Sequence, residues 1–133
     1  MRARLIAAGT RLPDWVNAGY AEYARRLVGF RLELVEIPAR RRMFEIIGPR
    51  DYVVALELTG RAMTTAELAR WLETRLASGR DLAFVIGGPD GLAPELLKRA
   101  DFRWSLSPLT WPHGLVRVML AEQLYRAQSI LKG

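Results

Sequence analysis

The sequence contains no cysteine, a single histidine (His113) and only two lysines, Lys98 and Lys132, in 133 residues. The first absence removes a disulfide frame and a thiol nucleophile, and one imidazole alone gives no Cys/His set for zinc. No apolar run approaches the length that crosses a bilayer. The start, Met1-Arg2-Ala3-Arg4-Leu5-Ile6, lacks the apolar segment and cleavage pattern of a secretory signal. The expectation is a cytosolic protein with no membrane attachment. Internal repeats and low-complexity stretches are also missing. The run IGGPDG at 86–91 is neither G-x-G-x-x-G nor a P-loop, because its second glycine comes one place too early and no Lys-Ser/Thr follows. Nor does any serine near His113 have the G-x-S-x-G context of a hydrolase nucleophile.

What is present is a globular composition. Half the residues are apolar, and 20 Lys+Arg against 14 Asp+Glu leave a formal charge of +6. A chain of this size buries roughly two thirds of the surface it exposes when unfolded, enough for one core, so a single domain over 1–133 is expected. The basic excess is uneven. Residues 1–50 hold ten basic and five acidic side chains, whereas residues 51–133 hold ten and nine. Such a field suits a polyanionic partner. The preference for arginine reflects either genome composition or the fit of the guanidinium fork to phosphate.

Hydrophobic periodicity places a strand at Arg4 to Ala8, then a helix from Pro13-Asp14 with Val16, Tyr20, Tyr23 and Leu27 on one face. A second strand fits Phe30 to Ile37, closed by Pro38 and followed by Arg40-Arg41-Arg42. Tyr52 to Leu58 reads as a central strand. Thr64-Thr65-Ala66-Glu67 has capping-box spacing, and Leu68, Trp71, Leu72 and Leu76 then form a stripe that ends before Gly79. Asp81 to Ile86 is a buried strand, Pro94 to Ala100 a short helix, Trp104 to Leu106 a last strand, and Gly114 to Leu131 a long helix. Strands alternating with helices imply an α/β fold with a mostly parallel sheet and helices on both faces. Ligands of such sheets sit at the carboxyl ends of strands, which directs attention to the loops at 58–62, 87–91 and 107–114.

Each candidate feature has an ordinary structural reading beside the functional one. The glycines of 86–91 let backbone amides approach a ligand, but a tight strand-to-helix turn needs them equally. The loop Ser107 to Gly114 is stiffened by Pro108 and Pro112, and its Leu109 and Trp111 suit a flat aromatic ligand or simply cap the core. The last helix is apolar nearly all round, so it must be covered on two sides, most simply by its own sheet and by a second copy in a symmetric homodimer. Glu122, Arg126 and Ser129 interrupt that surface. Glu122 and Arg126 are four apart and can pair, either as a structural ion pair or as part of a site.

Taken together, WSLSPLTWPHGLVRVMLAEQLYRAQSI at 104–130, IGGPDGL at 86–92, the opening LIAAGTRLPDWVNAGYAEYARRL and the strand end VEIPA resemble the ribosomal RNA large subunit methyltransferase H family of the SPOUT superfamily. The resemblance implies a C-terminal trefoil knot, a homodimer, S-adenosylmethionine as methyl donor, no metal, and methylation at N3 of a pseudouridine in helix 69 of 23S rRNA within the 70S ribosome. Matched residue by residue, it assigns the donor pocket to Leu56, Gly88, Ser107, Pro108, Leu109, Thr110, Trp111 and Pro112, and the reaction centre to His113, Glu122, Tyr125 and Arg126. Arg25, Arg26, Arg40, Arg41 and Arg42 are the candidates for rRNA phosphate contacts. Two departures stand out. The family carries an extra helical segment where this sequence has only RRRMFEIIGPRD, and it ends in a Tyr-His-Arg tail, whereas this sequence stops at Ser129-Ile130-Leu131-Lys132-Gly133. The chain is therefore either shortened or a divergent member, and the alternative to an active enzyme is a catalytically weak or inactive ribosome-binding protein of the same fold.

Overall fold

A computed structural model describes residues 1–9, 12–38, 43–88, 91–107 and 114–133. The elements are β1 (Ala3–Ala8), α1 (Asp14–Ala24), β2 (Leu32–Ile37), a 3₁₀ turn (Met43–Ile46), β3 (Tyr52–Ala62), α2 (Thr65–Ser78), β4 (Leu82–Ile86), α3 (Pro94–Arg99), β5 (Phe102–Ser105) and α4 (Leu115–Lys132). Five strands form one sheet in the order β2-β1-β4-β3-β5, and every neighbouring pair is parallel. All carboxyl ends therefore lie along one edge. The expected α/β class, parallel sheet and element order are those observed.

Local chemistry accounts for most boundaries. Thr64 accepts from the Glu67 N–H while the Glu67 carboxylate accepts from the Thr64 N–H, the reciprocal box that starts α2, and Gly79 ends the helix in the left-handed conformation at φ +73°. Several boundaries differ from expectation: α1 ends at Ala24, short of Leu27, and β5 is Phe102–Ser105 rather than Trp104 to Leu106. β2 begins at Leu32 rather than Phe30, because Gly29 turns the chain at φ +88° and leaves Phe30 buried outside the ladder. β3 runs on to Ala62 because it pairs twice with β5: Leu56 and Arg61 both register with Trp104, and the ladder is irregular between them. Glycine is required at 60, where an added Cβ would lie 2.7 Å from the backbone of Arg103 and Trp104.

The sheet is covered on both faces. On one, Leu5, Val54, Leu56, Phe84 and Trp104 pack with α1, α2 and α4; on the other, Ile6, Val53, Ala55 and Val85 meet Ile37, Met43 and Leu96. Trp71 of α2 gathers Tyr52, Phe84, Phe102 and Trp104 at centroid separations of 6.0–6.5 Å. The turn before β3 is secured by arginines from three elements. Arg4 pairs with Asp51 at 2.7 Å in a buried salt bridge, and Arg80 and Arg99 both donate to the Asp51 carbonyl. Near its end, α4 is tied to the loop before β2 through Gln128. The side-chain carbonyl accepts from the Val28 N–H at 2.9 Å and the amide NH₂ donates to the Val28 carbonyl, so the side chain acts as a peptide unit.

Candidate functional site

Parallel register brings the strand ends to a common level. Leu56 of β3 lies opposite Ile86 of β4 and Trp104 of β5, and both Leu56 and Ile86 are buried. Beyond Ile86, Gly87 and Gly88 carry no side chain. Among the described residues, a Cβ at Gly88 would meet only the Ala8 methyl at 3.8 Å, whereas one at Gly87 would lie 2.4 Å from the Gly91 backbone. Gly88 and Gly91 form an antiparallel bridge, with the Gly91 N–H donating to the Gly88 carbonyl at 2.9 Å. After β5, Ser105 Oγ donates to the Ser107 carbonyl at 3.0 Å. Leu56, Gly88 and Ser107 thus occupy the carboxyl edge of the sheet, where expectation placed them. Pro108, Leu109, Thr110, Trp111, Pro112 and His113 lie outside the described residues, as do Arg40, Arg41 and Arg42.

Glu57, which sequence reasoning passed over, belongs to the same edge. Its Oε1 is buried without a hydrogen-bond partner, 3.7 Å from the Arg103 guanidinium. The edge fits an adenosyl group in chemical terms. Leu56 and Ile86 give an apolar floor and, among the described residues, the Gly88 position leaves space, while the Glu57 carboxylate already has Arg103 as its counter-charge.

The second group of candidates lies on α4 and α1. Arg126 donates through Nε to Glu122 Oε1 at 3.0 Å and through Nη2 to the same oxygen, and this partner holds the guanidinium protonated beyond its ordinary value. Gln123 donates to the other Glu122 oxygen at 3.3 Å, and the Glu122 side chain is 17 % exposed against 61 % for Arg126. The i, i+4 pairing expected from spacing is present. Tyr125 is half-buried with its ring 6.3 Å from that of Tyr23, and the Arg26 guanidinium lies 5.1 Å from the Tyr23 centroid and 5.6 Å from the Tyr125 centroid. Arg25 and Arg26 both pair with Glu22, whose carboxyl is held below its ordinary range chiefly by the hydrogen bond from Arg25.

A third feature was invisible in the sequence. Arg117 and Gln128 of α4, which sequence reasoning did not single out, are both buried, and Arg117 pairs with Glu36 at the end of β2. Periodicity assigns such side chains to a face but does not show that a buried acceptor awaits them.

Over residues 1–133 the chain matches the family model described as "Predicted SPOUT methyltransferase". It is 53 % identical to the ribosomal RNA large subunit methyltransferase H of Alkalilimnicola ehrlichii and 52 % identical to that of Thioalkalivibrio sulfidiphilus, in each case over all of this chain and 96 % of the relative. Both alignments run over 150 positions, so 150 − 133 = 17 positions of the relatives have no counterpart here. Among solved structures, a probable methylase family protein from Haemophilus influenzae superposes with a TM-score of 0.63 at 16 % identity, covering 98 % of this chain and 67 % of that one. The SpoU methyltransferase AviRb from Streptomyces viridochromogenes, solved with AdoMet, gives a TM-score of 0.53 at 12 % identity, covering 98 % and 58 %. These two likenesses concern the fold.

Proposed function

We propose that this chain, which belongs to the ribosomal RNA large subunit methyltransferase H family of SPOUT methyltransferases, transfers a methyl group from S-adenosylmethionine to N3 of a pseudouridine in helix 69 of 23S rRNA within the assembled ribosome. The observation that carries the reading is end-to-end identity above one half to a ribosomal RNA large subunit methyltransferase H, with an apolar, glycine-lined edge where β4 ends beside Leu56 of β3. The whole of 1–133 acts as one domain whose C-terminal part forms the trefoil knot, and the work is done in the cytoplasm, where ribosomes are.

S-adenosylmethionine supplies an electrophilic methyl on a positively charged sulfur. The residues Leu56, Gly88 and Ser107, with Pro108, Leu109, Thr110, Trp111 and Pro112, hold the donor, and His113 borders the pocket. Displacement is in line: the N3–methyl bond forms as the sulfur–methyl bond breaks, with the electron pair passing to sulfur. The N3 proton must leave. Glu122 accepts or orients it, because it is a shielded carboxylate whose charge is balanced by one neighbour, and Arg126, the more exposed member, contacts the base or a phosphate. Tyr125 stacks beside them. Arg40, Arg41 and Arg42, with Arg25 and Arg26, bind phosphates.

A second copy completes the chamber. Trp15 of α1 (62 % exposed) and Ile130 of α4 are large apolar side chains left to solvent, and Tyr23, Val118 and Tyr125 of the same two helices are only partly buried, which supports a second copy covering this surface. Incubation with methyl-labelled donor and pseudouridine-containing 70S ribosomes tests the reading. Label in 23S rRNA at N3 is expected, with donor affinity on the order of micromolar by calorimetry. Absence of label in every RNA refutes it, and salt-sensitive ribosome binding indifferent to donor supports the non-catalytic alternative.

A further inference from the structure

We infer that Arg117 and Glu36 are positioning residues that hold the carboxyl ends of β1 and β2 against the helix bearing Glu122 and Arg126, an inference that rests on the function proposed above. Arg117 is 1 % exposed; its Nη1 donates to Glu36 Oε2 at 2.7 Å and its Nη2 to the Gly9 carbonyl at 3.4 Å. Glu36 is the penultimate residue of β2 and Gly9 directly follows β1, strands that lie side by side. One guanidinium therefore joins α4 to the carboxyl ends of two strands. Burying this charge is unfavourable, and an apolar side chain of similar volume would fill the space at least as well. What the fork adds is direction, since two N–H bonds to two acceptors restrain rotation as well as distance. The charge is felt nearby: burial raises the Tyr20 phenol above its ordinary value, and Arg117 opposes that rise.

Connectivity shows what the anchor governs. Arg117 precedes Glu122 by five helical residues, a rise of about 7.5 Å. The base presented to Glu122 is thus referred to the ends of β1 and β2 through one fixed point. Glu36 keeps 34 % of its side chain exposed, so its carboxylate can be altered without opening the core.

The test uses the full chain, labelled donor and ribosomal particles, with two variants. Glu36→Gln keeps an acceptor but removes its charge; Arg117→Lys keeps the charge but cannot span both acceptors. Both are expected to raise KM for the particle about tenfold, because ångström-scale misplacement of a bound substrate has effects of this size. Donor Kd should stay within about twofold in both, titrated well below each variant's own melting transition, because a buried Arg117 deprived of its counter-charge lowers Tm. If Arg117→Lys is unstable, Glu36→Gln decides. An unchanged KM with an active wild type overturns the inference, as does a Glu36→Gln variant that loses donor affinity as far as it loses affinity for the particle. A wild type that methylates no RNA removes the proposed function, and the inference falls with it.

Discussion

The two adjacent glycines after β4 make opposite demands, and alanine at each separates structure from binding. Neither has a positive φ, so alanine is not strained by the backbone at either position. At Gly87 the new methyl would lie 2.4 Å from the carbonyl carbon and oxygen of Gly91 and 2.8 Å from the Leu92 nitrogen. Ordinary contact begins near 3.4 Å, so the Gly91 backbone must retreat by about 1 Å. Overpacking of this kind costs about 2 kcal/mol, which for a domain of this size lowers Tm by roughly 6–10 °C. It also displaces the bridge between Gly88 and Gly91, so donor affinity should fall at least about tenfold. At Gly88 the methyl meets, among the described residues, only Ala8 at 3.8 Å, which predicts a Tm within about 2 °C of wild type. Donor affinity should nevertheless fall, because the methyl occupies space assigned to the adenosyl group. Scanning calorimetry and titration with S-adenosylmethionine read both effects. A Gly87→Ala protein with wild-type Tm and Kd refutes the steric argument, and a Gly88→Ala protein with unchanged Kd shows that the donor lies elsewhere.

Glu122→Gln should abolish most methyl transfer while sedimentation still reports a dimer; a monomeric variant would make the Glu122–Arg126 pair structural instead. Asp51→Ala strands the buried Arg4 charge and should cost about 3 kcal/mol in urea unfolding, and a loss below about 1 kcal/mol would show that water reaches Arg4. The Glu67 carboxyl is held below its ordinary value, first by the Thr64 backbone hydrogen bond and then by the Thr64 hydroxyl. Its contribution is complete above that ordinary value and is lost as pH falls through the lowered folded value, so Glu67→Gln should flatten part of the acid limb of stability. Superimposable pH profiles for the two proteins would contradict this.

Elements whose signal is local were legible in the sequence. The box at Thr64, the Gly79 stop and the buried run of β4 follow from neighbours within a few positions, and each lies within a residue or two of where periodicity put it. The carboxyl edge of the sheet was legible for a topological reason, since parallel strands point one way and Leu56 and Ile86 end apolar runs. Features joining distant segments were not. The second meeting of β3 with β5 depends on close packing at Gly60, and the burial of Arg117 depends on acceptors 81 and 108 residues earlier. A helical wheel orders residues around one axis and carries no record of the far partner. Gln128 is the same case, because its amide looks solvated until the Val28 peptide is placed beside it.

The Gln128 clamp has a consequence for biosynthesis. Its two bonds reach 100 residues back, and α4 fills the face between α1 and α2. Translation delivers this helix after every other element described, so the nascent polypeptide must wait with the groove open and its leucines wet until the helix has left the ribosome. The sheet is therefore complete before its helical cover is, and a ribosome stalled ahead of the Gln128 codon would carry an incompletely closed product.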